Sequence, residues 1–309
     1  MKTIDMHMHT TNSDGNCSTK QVLEQAQKLG LSLISITDHN SVNAYFDLEN
    51  DEVRNSFSGE IVAGTEITTL FNNVVIEVLT YGFEVRKMKA FLDNYFSEEK
   101  LIETRKNEVL FMKKVAKEEG LIFDENFDPS AQSIATFTNF YRHLITFPEN
   151  ESYMLKNKID SGKTFFRDMV CNDNTKFFFD YTKCYPSIKE ISDFAKKNGC
   201  KTFLAHPYIY RFENKVDSAF QIVKEGNLSG VESYHSSASE EMSEVLTEKC
   251  KENKLLYSGG SDYHGFYYRK ERIGKVVGGE KPLDYGVFEK MNLKPWKNEK
   301  VQSTVTLCR

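Results

Sequence analysis

Five β-type segments of this 309-residue chain each end in histidines or acids, and that pattern constrains the fold more than any other feature. Residues 3–8 read as a short strand that carries His7 and runs into His9. Residues 31–36 run into Thr37-Asp38-His39-Asn40, and residues 60–67 carry Glu66. Residues 201–205 end in His206-Pro207, and residues 255–258 lead to Asp262 and His264. Between the first two segments, Ser18 and Gln21 make a capping box for a helix with Val22, Leu23, Ala26 and Leu29 on one face. Gly30 then stands where a helix C-terminal cap belongs. Ser187 and Glu190 repeat the device, with Gly199 closing, and further segments follow at 230–235 and 239–253. Strand, loop, helix, strand is the grammar of a parallel β/α layout. The middle departs from it. Residues 87–119 have helical periodicity, while 121–180 are aromatic-rich and aperiodic. The expected organisation is an α/β unit of 1–89 and 181–290, a mostly helical insertion at 90–180, and a tail at 291–309.

Hydrophobic residues at 39% and aromatics at 13% exclude disorder. Forty basic against 45 acidic side chains give a net charge of −5, which excludes a basic surface for bulk nucleic-acid binding but not a small phosphate pocket. No apolar run approaches the roughly 18 residues of a membrane helix, and the N-terminus turns polar at once, so a soluble cytoplasmic protein is expected. The six cysteines form no C-x-x-C pair and read as free thiols. Any metal chemistry must therefore come from histidines and carboxylates.

His7 and His9 lie two apart on a strand, so both imidazoles project from one face. In a parallel β/α barrel the strand ends converge on one rim, where imidazoles and carboxylates together can ligate Zn²⁺, Mn²⁺ or Fe²⁺. A lone histidine such as His143 is more simply a surface or hydrogen-bonding residue, and Asp14-Gly15 alone is a turn. Ligand-type residues at five separate strand ends are harder to ascribe to accident.

The motifs His7-Met-His9, Ser13-Asp14-Gly15, Thr37-Asp38-His39, Gly64-Thr-Glu66, Ala205-His206-Pro207 and Gly260-Ser-Asp262-Tyr-His264 come in an order that resembles the PHP (polymerase and histidinol phosphatase) superfamily of metal-dependent phosphoesterases. The resemblance spans residues 3 to about 265. It implies an α/β fold, a distorted (β/α)7 TIM-like barrel with a two- or three-metal site on its rim. Carried over, it implies one divalent ion held by His7, His9, Glu66 and Asp262, and a second by Asp14, His39 and His264. A third position would share Glu66 and use His206 and Glu77. Glu77 stands where the nucleotide-phosphatase-like branch usually has histidine, which favours a harder ion such as Mn²⁺ over Zn²⁺. In the insertion, Thr138 to Leu144 resembles a segment of that branch in which Arg142 is retained and Asn139 replaces histidine. Arg142, Lys183 and His235 are implied to bind the phosphate, and Asp262 to manage the proton of the attacking water.

The expected reaction is hydrolysis of a small phosphomonoester or nucleotide by metal-activated water. Histidinol-phosphatase activity and 5′-end processing of short oligonucleotides are alternatives, and a catalytically silent metal-binding scaffold is the alternative of another class. Neither a membrane nor an obligate protein partner is expected.

Overall fold

The computed structural model describes residues 2–131, 135–210, 212–265 and 272–297, so the expected tail lies outside the described residues from 298 on. The fold is mixed α/β, and the chain divides into two compact units. One comprises residues 1–69, 76–92 and those from 187 onward; the other comprises 70–75 and 93–186.

Nine strands occur: β1 (Thr3–Asp5), β2 (Leu33–Ile34), β3 (Glu60–Ile61), β4 (Gly64–Phe71), β5 (Val74–Tyr81), β6 (Lys201–Leu204), β7 (Gly230–His235), β8 (Leu256–Gly260) and β9 (Leu283–Asp284) among the described residues. They make two sheets, in the orders β3-β2-β1-β9 and β4-β5-β6-β7-β8. Two isolated parallel bridges, Met8 with Tyr263 and His39 with Glu66, connect the sheets.

The local signals that start the helices are realised in full. Ser18 accepts the Gln21 N–H while Gln21 Oε1 accepts the Ser18 N–H, opening the helix Thr19–Lys28, which buries Val22, Leu23 and Ala26. Ser187 and Glu190 cap Ile188–Asn198 in the same way, and Gly199 ends it at φ 69° in the left-handed region that glycine tolerates. Between the sheets of this unit Ile4, Met6, Leu33, Val62, Leu79, Tyr81, Phe203 and Ala205 form one buried cluster.

Two expectations are corrected. The layout is not parallel throughout: β5 pairs antiparallel with β6, and β9 with β1. Asn72 and Asn73, both at positive φ, close a two-residue hairpin between β4 and β5, so no crossover helix is needed there. The segment 60–67 is not one strand, because the chain leaves the first sheet after Ile61 and enters the second at Gly64. A Cβ on Gly64 would lie 2.2 Å from Ser35 Oγ, so only glycine permits this passage beside β2. The periodic stretch 87–119 holds two helices, Val85–Phe96 and Glu98–Glu118, because Ser97 adopts an extended conformation and caps the second by accepting the Lys100 N–H.

The second unit carries its own core. Phe140, Phe165 and Phe177 are fully buried among Met112, Ala116 and Leu144, each contributing about 2 kcal/mol of burial. The Tyr181 hydroxyl donates to the buried Glu108 carboxylate at 2.7 Å. Short helices such as Thr136–Leu144 and the π-turn Phe165–Val170 supply these aromatics, which is why the stretch shows no single period. Among the described residues no helix is long and apolar enough to cross a membrane. Five cysteines are free thiols, and Cys308 lies outside the described residues.

Candidate metal centre

The first unit continues its strand pairing past the formal strand ends, and this continuation builds the site. Asp262 N donates to His7 O and His9 N to Tyr263 O, both at 2.8 Å; on the other side Thr37 N donates to Met8 O at 2.8 Å. Met6 and Met8 are fully buried on one face of this extended segment, so His7 and His9 emerge together on the opposite one. Gly260 makes the approach possible: a Cβ there would fall 2.2 Å from His7 Cβ. Asn40 N donates to Glu66 O, drawing His39 beside Glu66.

Three sets of side chains converge. His7 Nε2 lies 3.2 Å from Glu66 Oε2 and 3.4 Å from Asp262 Oδ1; His9 Nε2 lies 3.4 and 3.2 Å from the same two oxygens. Asp14 Oδ1 stands 3.2 Å from His264 Nε2, 3.7 Å from His39 Nε2 and 3.8 Å from His9 Nδ1. Glu66 Oε1 receives His206 Nε2 at 2.8 Å, and Glu77 approaches His206 at 3.3 Å and His39 Nδ1 at 3.5 Å. Adjacent to these, His235 Nε2 is 3.5 Å from Asp262 Oδ2. His206 (φ 26°) and Asp262 (φ 55°) occupy the left-handed region, a backbone cost that surrounding structure must offset. Arg142 is exposed on Thr136–Leu144, and Lys183 is exposed on the turn Tyr181–Lys183; both belong to the second unit.

Electrostatics show why such a cluster suits a cation. Burial disfavours charge on every member, yet Glu66 and Asp262 stay well below the ordinary carboxylate range because imidazoles face them, His7 foremost. Burial raises the Asp14 carboxyl, but the hydrogen bond from His264 and the charge of His39 outweigh it and hold it low. Burial, with His39 and His264 beside it, pushes His9 down to about 3. For His206 burial opposes protonation, but Glu66 prevails and raises it to about 9. Glu77 is raised by burial and by Glu66. Without a cation the carboxylates must share imidazole protons. Buried His9 Nδ1 and His206 Nδ1 have no hydrogen-bond partner. Four carboxylates and five imidazoles with such orphaned nitrogens are a donor set that fits divalent ions.

That competition makes a testable outcome. Metal uptake should release protons, and apparent affinity should rise with pH until about 9, where His206 deprotonates unaided. The sign of the linked stability follows: in the metal-free protein the His206–Glu66 contribution is fully present below about 6.5 and fades as pH rises through about 9. Calorimetric titration in buffers of different ionisation heat measures the released protons. An affinity flat from pH 6 to 9 would refute the competition.

Three buried acids carry a role that the sequence does not assign them. Asp5 accepts N–H groups from His7, Ser261 and Gly274, tying β1 to the segment that bears Asp262. Its signal was available, because Asp5, His7 and His9 alternate on one strand face. Asp38 accepts Thr10 N, the Thr10 hydroxyl and the Ser13 hydroxyl, fixing the loop that carries Asp14. Glu232 receives His7 Nδ1 at 2.9 Å and His206 N at 2.7 Å.

A family model described as PHP domain matches residues 5–114. The matched residues include His7, His9, Asp14, His39, Glu66 and Glu77. Over 288 residues the chain is 24% identical to phosphoribosyl 1,2-cyclic phosphate 1,2-diphosphodiesterase of Eggerthella lenta, covering 87% of this chain and 97% of that protein. A 5'-3' exoribonuclease of Haemophilus influenzae is 24% identical over 272 residues, covering 85% and 90%. Two solved structures share the fold. One, assigned as a metal-dependent phosphoesterase from Bifidobacterium adolescentis, matches with TM-score 0.60 and 21% identity over 94% of this chain and 95% of that one. The other, an amidohydrolase from Chromobacterium violaceum with bound sulfate, has TM-score 0.65 and 16% identity over 96% and 99%.

Proposed function

We propose that the chain is a metal-dependent phosphoesterase that hydrolyses a small phosphomonoester or nucleotide. The observation that carries this is the convergence of His7, His9, Asp14, His39, Glu66, Glu77, Asp262 and His264, with His206 against Glu66 and Glu77 and buried nitrogens left unpartnered. We infer further that the two sheets form one distorted barrel, a reading supported by the Met8–Tyr263 and His39–Glu66 bridges.

His7, His9, Glu66 and Asp262 would hold one ion and Asp14, His39 and His264 a second. Glu66, His206 and Glu77 offer a third position. Bound divalent ions (Mn²⁺, Zn²⁺ or Fe²⁺) supply a water of lowered pKa and neutralise the phosphoryl oxygens. Asp262 Oδ2, on the side of His235, is the atom assigned to take the proton of the attacking water. Ser237 N–H donates to His235 Nδ1 at 3.2 Å, which leaves the ring proton on Nε2 as a donor for a phosphate oxygen. Arg142 and Lys183 are assigned to the phosphate as well, with the inserted unit acting as a substrate-binding lid. Free thiols suit a reducing compartment, and a cytoplasmic setting is part of the proposal.

A second reading, removal of nucleotides from RNA 5′ ends, is favoured by the Haemophilus influenzae relative, whose length the chain covers to 90%. Metal-reconstituted protein should bind at least two divalent ions per chain by elemental analysis and hydrolyse members of a panel of phosphomonoesters, cyclic phosphates and short 5′-phosphorylated RNA. Fewer than one ion per folded chain would sink the multinuclear reading. Two ions without turnover of any ester would leave the scaffold alternative standing.

A further inference from the structure

We infer that Glu232 is a positioning residue that sets the tautomer of His7 and locks the backbone of His206, so that both imidazoles present the correct nitrogen to the metal centre. This rests on the metal-dependent reading above.

Glu232 is 1% exposed, in the middle of β7. Its carboxylate makes two hydrogen bonds to two different ligand-bearing segments. Oε1 lies 2.9 Å from His7 Nδ1, and Oε2 accepts the His206 N–H at 2.7 Å. An ionised carboxylate only accepts, so the proton on His7 must sit on Nδ1. Once an ion displaces the second proton of His7, its lone pair is on Nε2, which faces His9 Nε2 at 3.1 Å, Glu66 Oε2 at 3.2 Å and Asp262 Oδ1 at 3.4 Å. Four acceptor-type atoms facing one another at these distances repel unless a cation or shared protons lie among them. The second bond acts on backbone geometry. His206 has φ 26° and ψ 61°, a conformation that needs external support, and the buried carboxylate grips its N–H.

A ligand role for Glu232 itself is the competing idea, since His7, Glu232 and His235 also lie close together. Three facts argue against it. Both oxygens of Glu232 already accept hydrogen bonds, the nitrogen of His7 nearest to it carries a proton, and the proton of His235 sits on Nε2. The strand is also irregular at this point. Glu232 pairs with Ser258 and Tyr234 with Gly259, so Ser233 is an extra residue on β7. Three positions apart, Glu232 and His235 would face opposite sides of a regular strand; the bulge turns both toward the centre.

The test is Glu232→Gln, which keeps size and one acceptor but cannot receive both N–H groups. Zn²⁺ serves as the probe, by competition titration against a chelator. The expected result is a 10- to 100-fold weaker affinity, as for loss of a carboxylate behind a ligating histidine. In the ring ¹⁵N spectrum of zinc-loaded wild-type protein, His7 should be protonated at Nδ1, and that signature should be lost in the variant. Wild-type His7 protonated at Nε2 would overturn the inference without any variant having to fold. So would a Zn²⁺ affinity within twofold of wild type in a folded variant, including one whose melting temperature alone falls. If wild-type protein itself takes up neither Zn²⁺ nor Mn²⁺, the metal-dependent reading fails and takes this inference with it. If wild type binds and the variant binds equally, only the role of Glu232 fails.

Discussion

Asp262→Asn should lower kcat/KM by about 1,000-fold or more while leaving the fold close to native. Asp262 brings one oxygen to His7 and His9 and the other to His235, so it touches the first ligand set and the proposed phosphate donor together. Its carboxyl is held well below the usual range despite burial, because His7, His235 and His9 surround it, and it is therefore charged at working pH. Asparagine keeps the volume and, unlike most residues, tolerates the left-handed conformation at φ 55°. The substitution thus removes charge and proton-accepting capacity without adding backbone strain. A thousandfold loss corresponds to about 4 kcal/mol of transition-state stabilisation. His39→Ala should act in the same direction, since His39 stands between Asp14 and the Glu66–Glu77 pair. Steady-state kinetics with thermal denaturation as the folding control decides the matter. A loss below tenfold in folded Asp262→Asn would mean that the site is misassigned.

What could be read from the sequence follows from how local each signal is. The capping boxes at Ser18 and Ser187 are decided within four residues, and the structure realises both. The alternation of His7 and His9 is likewise local, and it fixes which way both rings point once Met6 and Met8 go inward. Which strand ends meet is not local, and there the order of the family motifs supplied what periodicity could not. The failures have physical causes too. Asn72-Asn73 is a hairpin turn without the glycine that usually announces one, so nothing local signals that β5 departs from a parallel layout. Glu232 was invisible as a functional residue because its register depends on a bulge at Ser233, and no period in the sequence encodes that extra residue. The inserted unit packs through aromatics such as Phe140, Phe165 and Phe177 drawn from short, differently oriented pieces, so its core has no stripe to read.

Substitution of Arg142 tests whether the inserted unit has a chemical role. The imidazoles and carboxylates of the metal centre include no fixed guanidinium or ammonium among the ion pairs described, whereas a phosphate ester brings two or more oxygens that need donors. Arg142 is exposed on Thr136–Leu144, whose buried side is held by Phe140, Tyr141 and Leu144 in the core of its unit. The anchored helix therefore presents the guanidinium to solvent rather than using it for packing. If that fork binds the phosphate through two charge-assisted hydrogen bonds, Arg142→Ala should cost about 2–4 kcal/mol in the transition state. This corresponds to a fall of roughly 30- to 1,000-fold in kcat/KM, with bound metal unchanged. Arg142→Lys should recover only part of the loss, because a point charge cannot reproduce the planar pair of donors. Stability should hardly move in either variant, since the side chain is exposed and none of the buried contacts of the helix depends on it. Kinetics of both variants on the best ester, with metal content measured in parallel, tests the claim. Changes below threefold in both would make Arg142 an ordinary surface cation and reduce the inserted unit to a spacer.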